Sequence, residues 1–384
     1  MIKSIILTLP FFATFFWAVT LWLGAKNAGL SKRILAIFMT VSALLYAGHA
    51  AYFSKSYLLY AIMDPIYTFA NLSVFPLFYL YIKSLTQEKT ISLKSIWILS
   101  PAIVFAISSA IIFIIIPKQE LHGFIHSCLY KEIPVSSFCT PLKFQIILHN
   151  IERVVFAILL IPCTYLSWRN ITEYEKKIKE FYSITENRSL AWTRDLLIAT
   201  VISALFAFIL NSLGKQFFID ETALVFIPSI IFAVLLYTIG FLGANQAFSI
   251  RDYQKDLIAD KTQRSSINSH PLKSKLHLEI IRLLEEDQVF KNPDLKITDL
   301  SFMLKTNRTY ISSIINSDFN CSFCDLINHY RIGYSKQLLL HQKSYILQYV
   351  SIESGFTSVN SFLRVFKKET GMTPGQFRKQ LQKN

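Results

Sequence analysis

Residues Gly355 to Phe377 read GFTSVNSFLRVFKKETGMTPGQF. Gly355 supplies a turn, Thr357 can cap a helix, and Phe362 and Phe366 stand one helical turn apart. Aromatic residues at i and i+4 share a helix face. The stretch therefore predicts a short amphipathic helix that buries the two phenylalanines and leaves Val359, Asn360 and Arg364 on a free face. The preceding residues place Leu347 and Val350 on an earlier short helix, so 347–371 reads as helix, turn, helix.

The pattern recurs upstream. In ITDLSFMLKTNRTYISSIIN (297–316), Thr298 is positioned to cap a short helix holding Leu300 and Leu304. Asn307 is positioned to cap a second helix, with Tyr310, Ile311, Ile314 and Ile315 inward. The two units lie about fifty residues apart, joined by a predicted connecting helix over Phe323–Leu340 despite Gly333.

The rest of the chain is of a different kind. It has 384 residues, 52% of them hydrophobic and 32 of them phenylalanine, with a mean hydropathy of +0.39, too apolar for one soluble globule. Seven apolar stretches approach the roughly 20 residues a bilayer requires: 4–24, 34–53, 57–82, 96–116, 144–168, 195–213 and 223–243. The first and fourth carry no charge, where amphipathic helices of a soluble protein would show a polar stripe.

Lys and Arg in the connections set an orientation. Twelve fall in the loops after the first, third and fifth stretches, and six in the N-terminus and the other three loops. Positive residues favour the cytoplasmic face, so the N-terminus is expected outside and the C-terminus inside a bacterial inner membrane. A cleaved signal peptide fits poorly, because the first apolar run is about twenty residues rather than roughly seven to fifteen and its removal would reverse the charge bias. Cys128 and Cys139 share the long outer loop, KQELHGFIHSCLYKEIPVSSFCTPLK (118–143), where an oxidising compartment permits a disulfide. Cys321 and Cys324 form a C-x-x-C with no second ligand pair at metal spacing, so neither metal nor cofactor is expected.

Composition shifts after Phe248. Ser249–Lys261 reads as a polar helical continuation of the seventh span, and Thr262–His270 as a loop. Pro271 then opens a helix holding Leu276, Ile280, Leu283 and Leu284. The expected organisation is a membrane domain over 1–248, a polar extension and linker over 249–271, and a helical domain over 272–384.

The doublet resembles the AraC/XylS-type DNA-binding domain over roughly 272–381. The second half carries Gly355-Phe356, Phe362, Arg364, Phe366, Lys367, Lys368, Gly371, Thr373-Pro374 and Phe377-Arg378. The apolar half, including VFPLFYLYIKSL at 74–85, is similar to multi-span sensor regions fused to such domains in Bacteroidota-like bacteria. Three departures stand out: Lys305 where the family has Gly at the first turn, and Ser301 and Ser351 where it has Ala.

The fold class expected is all-α, a seven-helix transmembrane bundle followed by a cytoplasmic double helix-turn-helix domain. Recognition helices offer their free faces to the major groove of double-stranded DNA. In the first unit that face holds Arg308, Thr309, Ser312 and Ser313. In the second, Arg364 can fork to guanine, Asn360 to adenine, and Val359 can meet a thymine methyl. Lys367, Lys368 and Arg378 are assigned to phosphates or to a solvated face. From Leu295 to Asn384 there are 12 Lys+Arg against 5 Asp+Glu, a net +7 suited to counterion release.

Within the spans, His49, Asp64, His149, Glu152, Arg153 and Asn211 are ionisable or polar. Such residues face a bundle interior, where they form a ligand site, a proton path or a structural ion pair. The structural alternative pairs Asp64 or Glu152 with Arg153; the functional one makes an outward-opening pocket for an unidentified small-molecule signal. With no phosphate-cradling glycine loop, H-E-x-x-H or nucleophile elbow, no enzyme is expected. The reading is a membrane-embedded one-component transcription factor, with a homodimer as one arrangement open to it. Its rival is a seven-span receptor or transporter whose helical tail binds a protein.

Overall fold

The computed structural model describes residues 2–24, 29–53, 57–87, 92–117, 120–121, 140–212, 223–246, 248–263, 273–341 and 345–381. Among them every extended regular element is a helix. The apolar half supplies α1 (Ile2–Leu23), α2 (Leu30–Phe53), α3 (Tyr57–Thr86), α4 (Ser100–Ile115), α5 (Thr140–Phe181), α6 (Ala191–Ser212) and α7 (Ala223–Asn245). Each overlaps one of the seven expected stretches. By length and composition, six helical stretches among the described residues can cross a membrane: one each in α1, α2, α3 and α5, Lys94–Ile115 ending in α4, and Phe226–Ile258 beginning in α7. Cys128 and Cys139 lie outside the described residues.

Backbone packing divides the chain into two compact units, Met1–Thr172 with Leu190–Ile250, and Glu173–Ser189 with Arg251–Asn384. In the first, α2 packs on α1 and α3, α1 on α7, and α3 on α4. Close approach of α1 to α7 depends on Gly240, where an added Cβ would fall 2.3 Å from the Trp17 ring. The outer faces are greasy: Ile103, Ile107, Ile111 and Ile114 on α4, and Ile147, Ile151, Val154, Ile158 and Ile161 on α5, are 47–82% exposed. Contiguous aliphatic exposure on that scale is foreign to a water-facing surface.

The second unit contains α8 (Ile250–Gln263), α9 (Lys273–Glu285), α10 (Ile297–Met303), α11 (Arg308–Asp318), α12 (Phe323–His341), α13 (Leu347–Glu353), α14 (Val359–Thr370) and α15 (Pro374–Leu381). Helices α10 with α11 and α13 with α14 are the two helix-turn-helix units, and α12 packs on members of both. Leu276, Ile280, Leu283 and Leu284 of α9 are buried as their spacing predicts. Around the second unit, Ile332, Leu339, Val350, Phe356, Phe362 and Phe366 form a core closed by Phe377.

Several expectations are corrected. Helix α7 does not run on into the polar segment: it stops at Asn245, and α8 starts at Ile250. The Gln246 side chain donates to the Phe248 carbonyl at 2.7 Å and accepts from the Trp192 indole at 3.0 Å, which stabilises a local turn in competition with helix. The expected polar helix is present as α8, with Ile250 and Tyr253 buried, and most of the expected loop over 262–270 lies outside the described residues. Residues 173–189, read as part of the membrane domain, belong to the second unit. Phe181 and Tyr182 are fully buried there against Tyr253, at ring distances of 5.1 and 6.4 Å. Tyr182 also makes an antiparallel bridge to Lys296.

Candidate nucleic-acid interface

Each recognition helix is fixed by a cap and a buried stripe. Asn307 caps α11 as its position predicts, its Oδ1 accepting from the Thr309 and Tyr310 amides at 2.7 and 3.4 Å. Ile311, Ile314 and Ile315 are buried, but Tyr310 is 40% exposed rather than inward. In position it joins the outer face with Thr309 and Ser313, which are exposed, while Arg308 and Ser312 are half-buried. On α14 the cap is Ser358, not Thr357: its Oγ accepts from the Ser361 amide at 3.1 Å. Phe362 and Phe366 are buried, Asn360, Arg364, Lys367 and Lys368 exposed, and Val359 half-buried.

The first unit begins differently from its expected form. Helix α10 starts at Ile297 with Lys296 at the cap position, and the Asp299 carboxylate reaches back to accept from the Lys296 amide at 2.7 Å. Thr298 is buried within the helix instead of capping it, and its carbonyl accepts from Ser301 Oγ at 2.8 Å. That bond gives one of the two unusual serines its acceptor; Ser351 Oγ is buried without a partner among the described residues. Lys305 adopts a left-handed φ of 48° at the first turn, a strained place for a side chain. Gly355 does the same work at φ 84°, and an added Cβ there would meet the Phe290 carbonyl oxygen at 2.6 Å.

The basic residues divide by partner. Lys367 stands outward on α14, whereas Lys368 Nζ lies 2.9 Å from Asp325 of α12. Burial raises the Asp325 carboxyl, but hydrogen bonds from Ser322 and Lys368 outweigh it and hold the group below its usual range. Arg378 is turned inward: Nη2 donates to the Tyr345 carbonyl at 2.7 Å, tying α15 to the start of the second unit.

Sequence reasoning passed over Arg331. This α12 residue is wholly buried and donates to the carbonyls of Phe290 and Asn292, both at 2.8 Å, and to Ser183 Oγ at 3.3 Å. Burial pulls its guanidinium down to about 10, so it remains a cation at neutral pH. Nothing in the local pattern HYRIG distinguishes it from a surface arginine. Cys324 is also buried, with Sγ 3.3 Å from the Ser183 carbonyl, and burial pushes its thiol up to about 11. Both cysteines of the C-x-x-C are free thiols, and no cluster suited to a metal occurs among the described residues.

Sequence reasoning also passed over Glu186, in the short turn Glu186–Arg188 after α5. Its carboxylate accepts from Ser358 Oγ at 3.1 Å and from Arg364 Nη2 at 3.4 Å.

In the first unit, His49, Asp64, His149, Glu152 and Arg153 all line one cavity of about 350 Å³. Asn211 lies on α6, its side chain outside the described residues. Asp64 does not pair with Arg153. Its buried carboxylate accepts from Tyr60, Ser109 and Gln145 at 2.8, 3.1 and 3.0 Å and lies 3.1 Å from His149 Nε2. Glu152 accepts from Asn71 and Thr68 at 3.0 and 3.3 Å. Tyr46, Tyr67, Phe75 and Phe156 furnish aromatic wall.

Two helix-turn-helix units with polar and basic outer faces make up a helix-turn-helix domain in the C-terminal part of the chain. Residues 300–380 match the family model described as a helix-turn-helix domain. Among curated proteins, the Msm operon regulatory protein of Streptococcus mutans is 31% identical over 90 residues, which are 23% of this chain and 32% of that protein. The chain thus spans about a third of that relative's length. Among solved structures, the C-terminal domain of the two-component response regulator yesN from Fusobacterium nucleatum is 27% identical over 27% of this chain and 96% of that one, with a TM-score of 0.24. The C-terminal domain of AraT, a response regulator from Geobacillus stearothermophilus, is 22% identical over 29% of this chain and 86% of that one, with a TM-score of 0.25.

Proposed function

We propose that the chain is a membrane-embedded one-component transcription factor, which senses a small molecule through its apolar half and binds promoter DNA sequence-specifically through its C-terminal domain. The observation that carries this is the union in one chain of a helix-turn-helix match over 300–380 with six helices apolar enough to span a bilayer. The exposed aliphatic faces of α4 and α5 support immersion in lipid, where such surface is the stable arrangement. The Lys/Arg bias supports seven spans with the N-terminus outside and the DNA-binding domain in the cytoplasm.

Base reading falls to Arg308, Thr309, Ser312 and Ser313 on α11 and to Val359, Asn360 and Arg364 on α14, with Lys367 on phosphate. The cavity holding His49, Asp64, His149, Glu152 and Arg153 is the proposed signal pocket. Its buried carboxylates and aromatic wall suit a small amphipathic ligand with a polar head. A ligand acts only through a difference in affinity between two states of the protein, and pairing of two DNA-binding domains in a homodimer is one such difference. Reporter fusions test the arrangement. A cytoplasm-active reporter joined after Lys261 is expected to work and one inserted at Lys131 to fail; the reverse pattern contradicts both the orientation and access to DNA.

A further inference from the structure

Both arginines on the outer faces of the recognition helices are engaged by segments outside the two helix-turn-helix units. Arg308 Nη1 donates to the Tyr253 hydroxyl of α8 at 3.3 Å, and its guanidinium lies 5.7 Å from the Phe181 ring at the end of α5. Arg364 Nη2 donates to Glu186 Oε1 at 3.4 Å, while Ser358, the cap of α14, donates its hydroxyl to Glu186 Oε2 at 3.1 Å. The segment carrying Glu186 is held in place independently. The Ser183 amide donates to the Leu295 carbonyl at 3.1 Å, Tyr182 bridges Lys296, and the Tyr182 hydroxyl donates to Asp256 at 2.6 Å.

A carboxylate accepting from a serine at a helix N-terminus and from an arginine on the same helix uses the donors a DNA phosphate or a guanine edge would use. Glu186 is only 22% exposed and occupies the hydroxyl at the cap of α14, whereas Arg364 keeps 66% of its side chain open and can be recaptured. We infer that Phe181–Arg188 is an intramolecular latch in which Glu186 competes with DNA for the second recognition helix. The inference rests on the DNA-binding reading above and concerns how that interface is regulated. The structure is then the latched form, and DNA engagement requires the Glu186 turn to leave α14. The contact is a single exposed ion pair joined by one hydroxyl bond, weak enough to be reversible.

The test uses the full chain in nanodiscs of neutral phosphatidylcholine, titrated by fluorescence anisotropy against duplex DNA that the wild-type chain has enriched from a random-sequence library. Glu186→Gln keeps the shape and removes the charge; Glu180→Gln removes the same charge from α5 outside these contacts. Glu186→Gln is expected to tighten binding about three- to tenfold, and Glu180→Gln to change it less than about twofold. Unchanged or weaker binding by Glu186→Gln overturns the latch, as does an equal gain in both variants, which would be bulk charge. Absence of any enriched, selectively bound duplex overturns the DNA-binding reading and the latch with it. Independently of either variant, fluorophores on non-natural residues at positions 185 and 357 of the otherwise native chain are expected to move apart when that duplex is added. A distance that does not change with DNA bound shows that turn and DNA coexist, and overturns the latch.

Discussion

Arg364 and Lys367 stand three residues apart on α14, both exposed, and are expected to behave differently. An arginine that forks to a base carries specificity, so Arg364→Ala should weaken the preferred site by about 1–3 kcal/mol and relax selectivity at one base pair. Lys367→Ala should weaken all sequences alike and flatten the dependence of affinity on salt. Anisotropy titrations at several salt concentrations separate the two, and an Arg364→Ala chain with unaltered preference contradicts the groove assignment. Arg331 belongs to a different class. Arg331→Met leaves the Phe290 and Asn292 carbonyls without their buried donor, and should cost about 2–4 kcal/mol of stability. Thermal unfolding of the full chain in detergent checks this; an unchanged melting temperature would show that the carbonyls find other donors. The apolar partners in α14 were legible because Phe362 and Phe366 repeat at helical spacing. The ties made by Arg331, Arg378 and Glu186 were not, since each joins residues more than thirty positions apart and local sequence carries no trace of that pairing.

At the scale of elements, the turn between α13 and α14 depends on a residue without a Cβ. Gly355→Ala combines a disfavoured φ with a clash against the 290–291 backbone. It should unfold the second helix-turn-helix unit while leaving the membrane helices intact, visible as protease sensitivity confined to the C-terminal domain. Resistance equal to the wild type would mean that the Phe290–Lys291 turn can move aside. The Lys368–Asp325 pair joins α14 to α12. The Asp325 pKa is depressed in the folded state, so the stability it adds is fully present above the ordinary carboxylate pKa near 4 and is lost as pH falls through the folded value. Accordingly Asp325→Asn should shallow the acid limb of the stability curve and leave its neutral-pH slope alone. An acid limb identical to the wild type's would remove this pair from the account. In the C-terminal unit the starts of α11 and α12 were legible in the sequence and that of α14 to within a residue, and the misses are physical. Thr357 and Ser358 are adjacent capping types, and α10 uses Asp299 reaching back instead of a hydroxyl at its start.

At the scale of the whole molecule, the succession of apolar stretches and the basic helical end were plain in composition and periodicity. The partition into units was not. Residues 173–189 comprise the last turns of α5 and the segment after it and carry Lys176, Lys177, Lys179 and Arg188, yet they belong with the second unit, where Phe181 and Tyr182 are buried. The stop between α7 and α8 has no proline to announce it, and the Gln246 side chain beside it bonds to the Phe248 carbonyl and the Trp192 indole. The proposed function makes one chain at once integral to a membrane and bound to particular DNA. Cross-linking cells, isolating the alkali-resistant membrane fraction, recovering the intact chain from it and sequencing the attached DNA tests both halves together. A small set of genomic fragments sharing one sequence motif, enriched with the membrane-borne protein, is the expected outcome. Recovery of the chain only from the soluble fraction, or of membrane-borne chain with no enriched sequence, would contradict it.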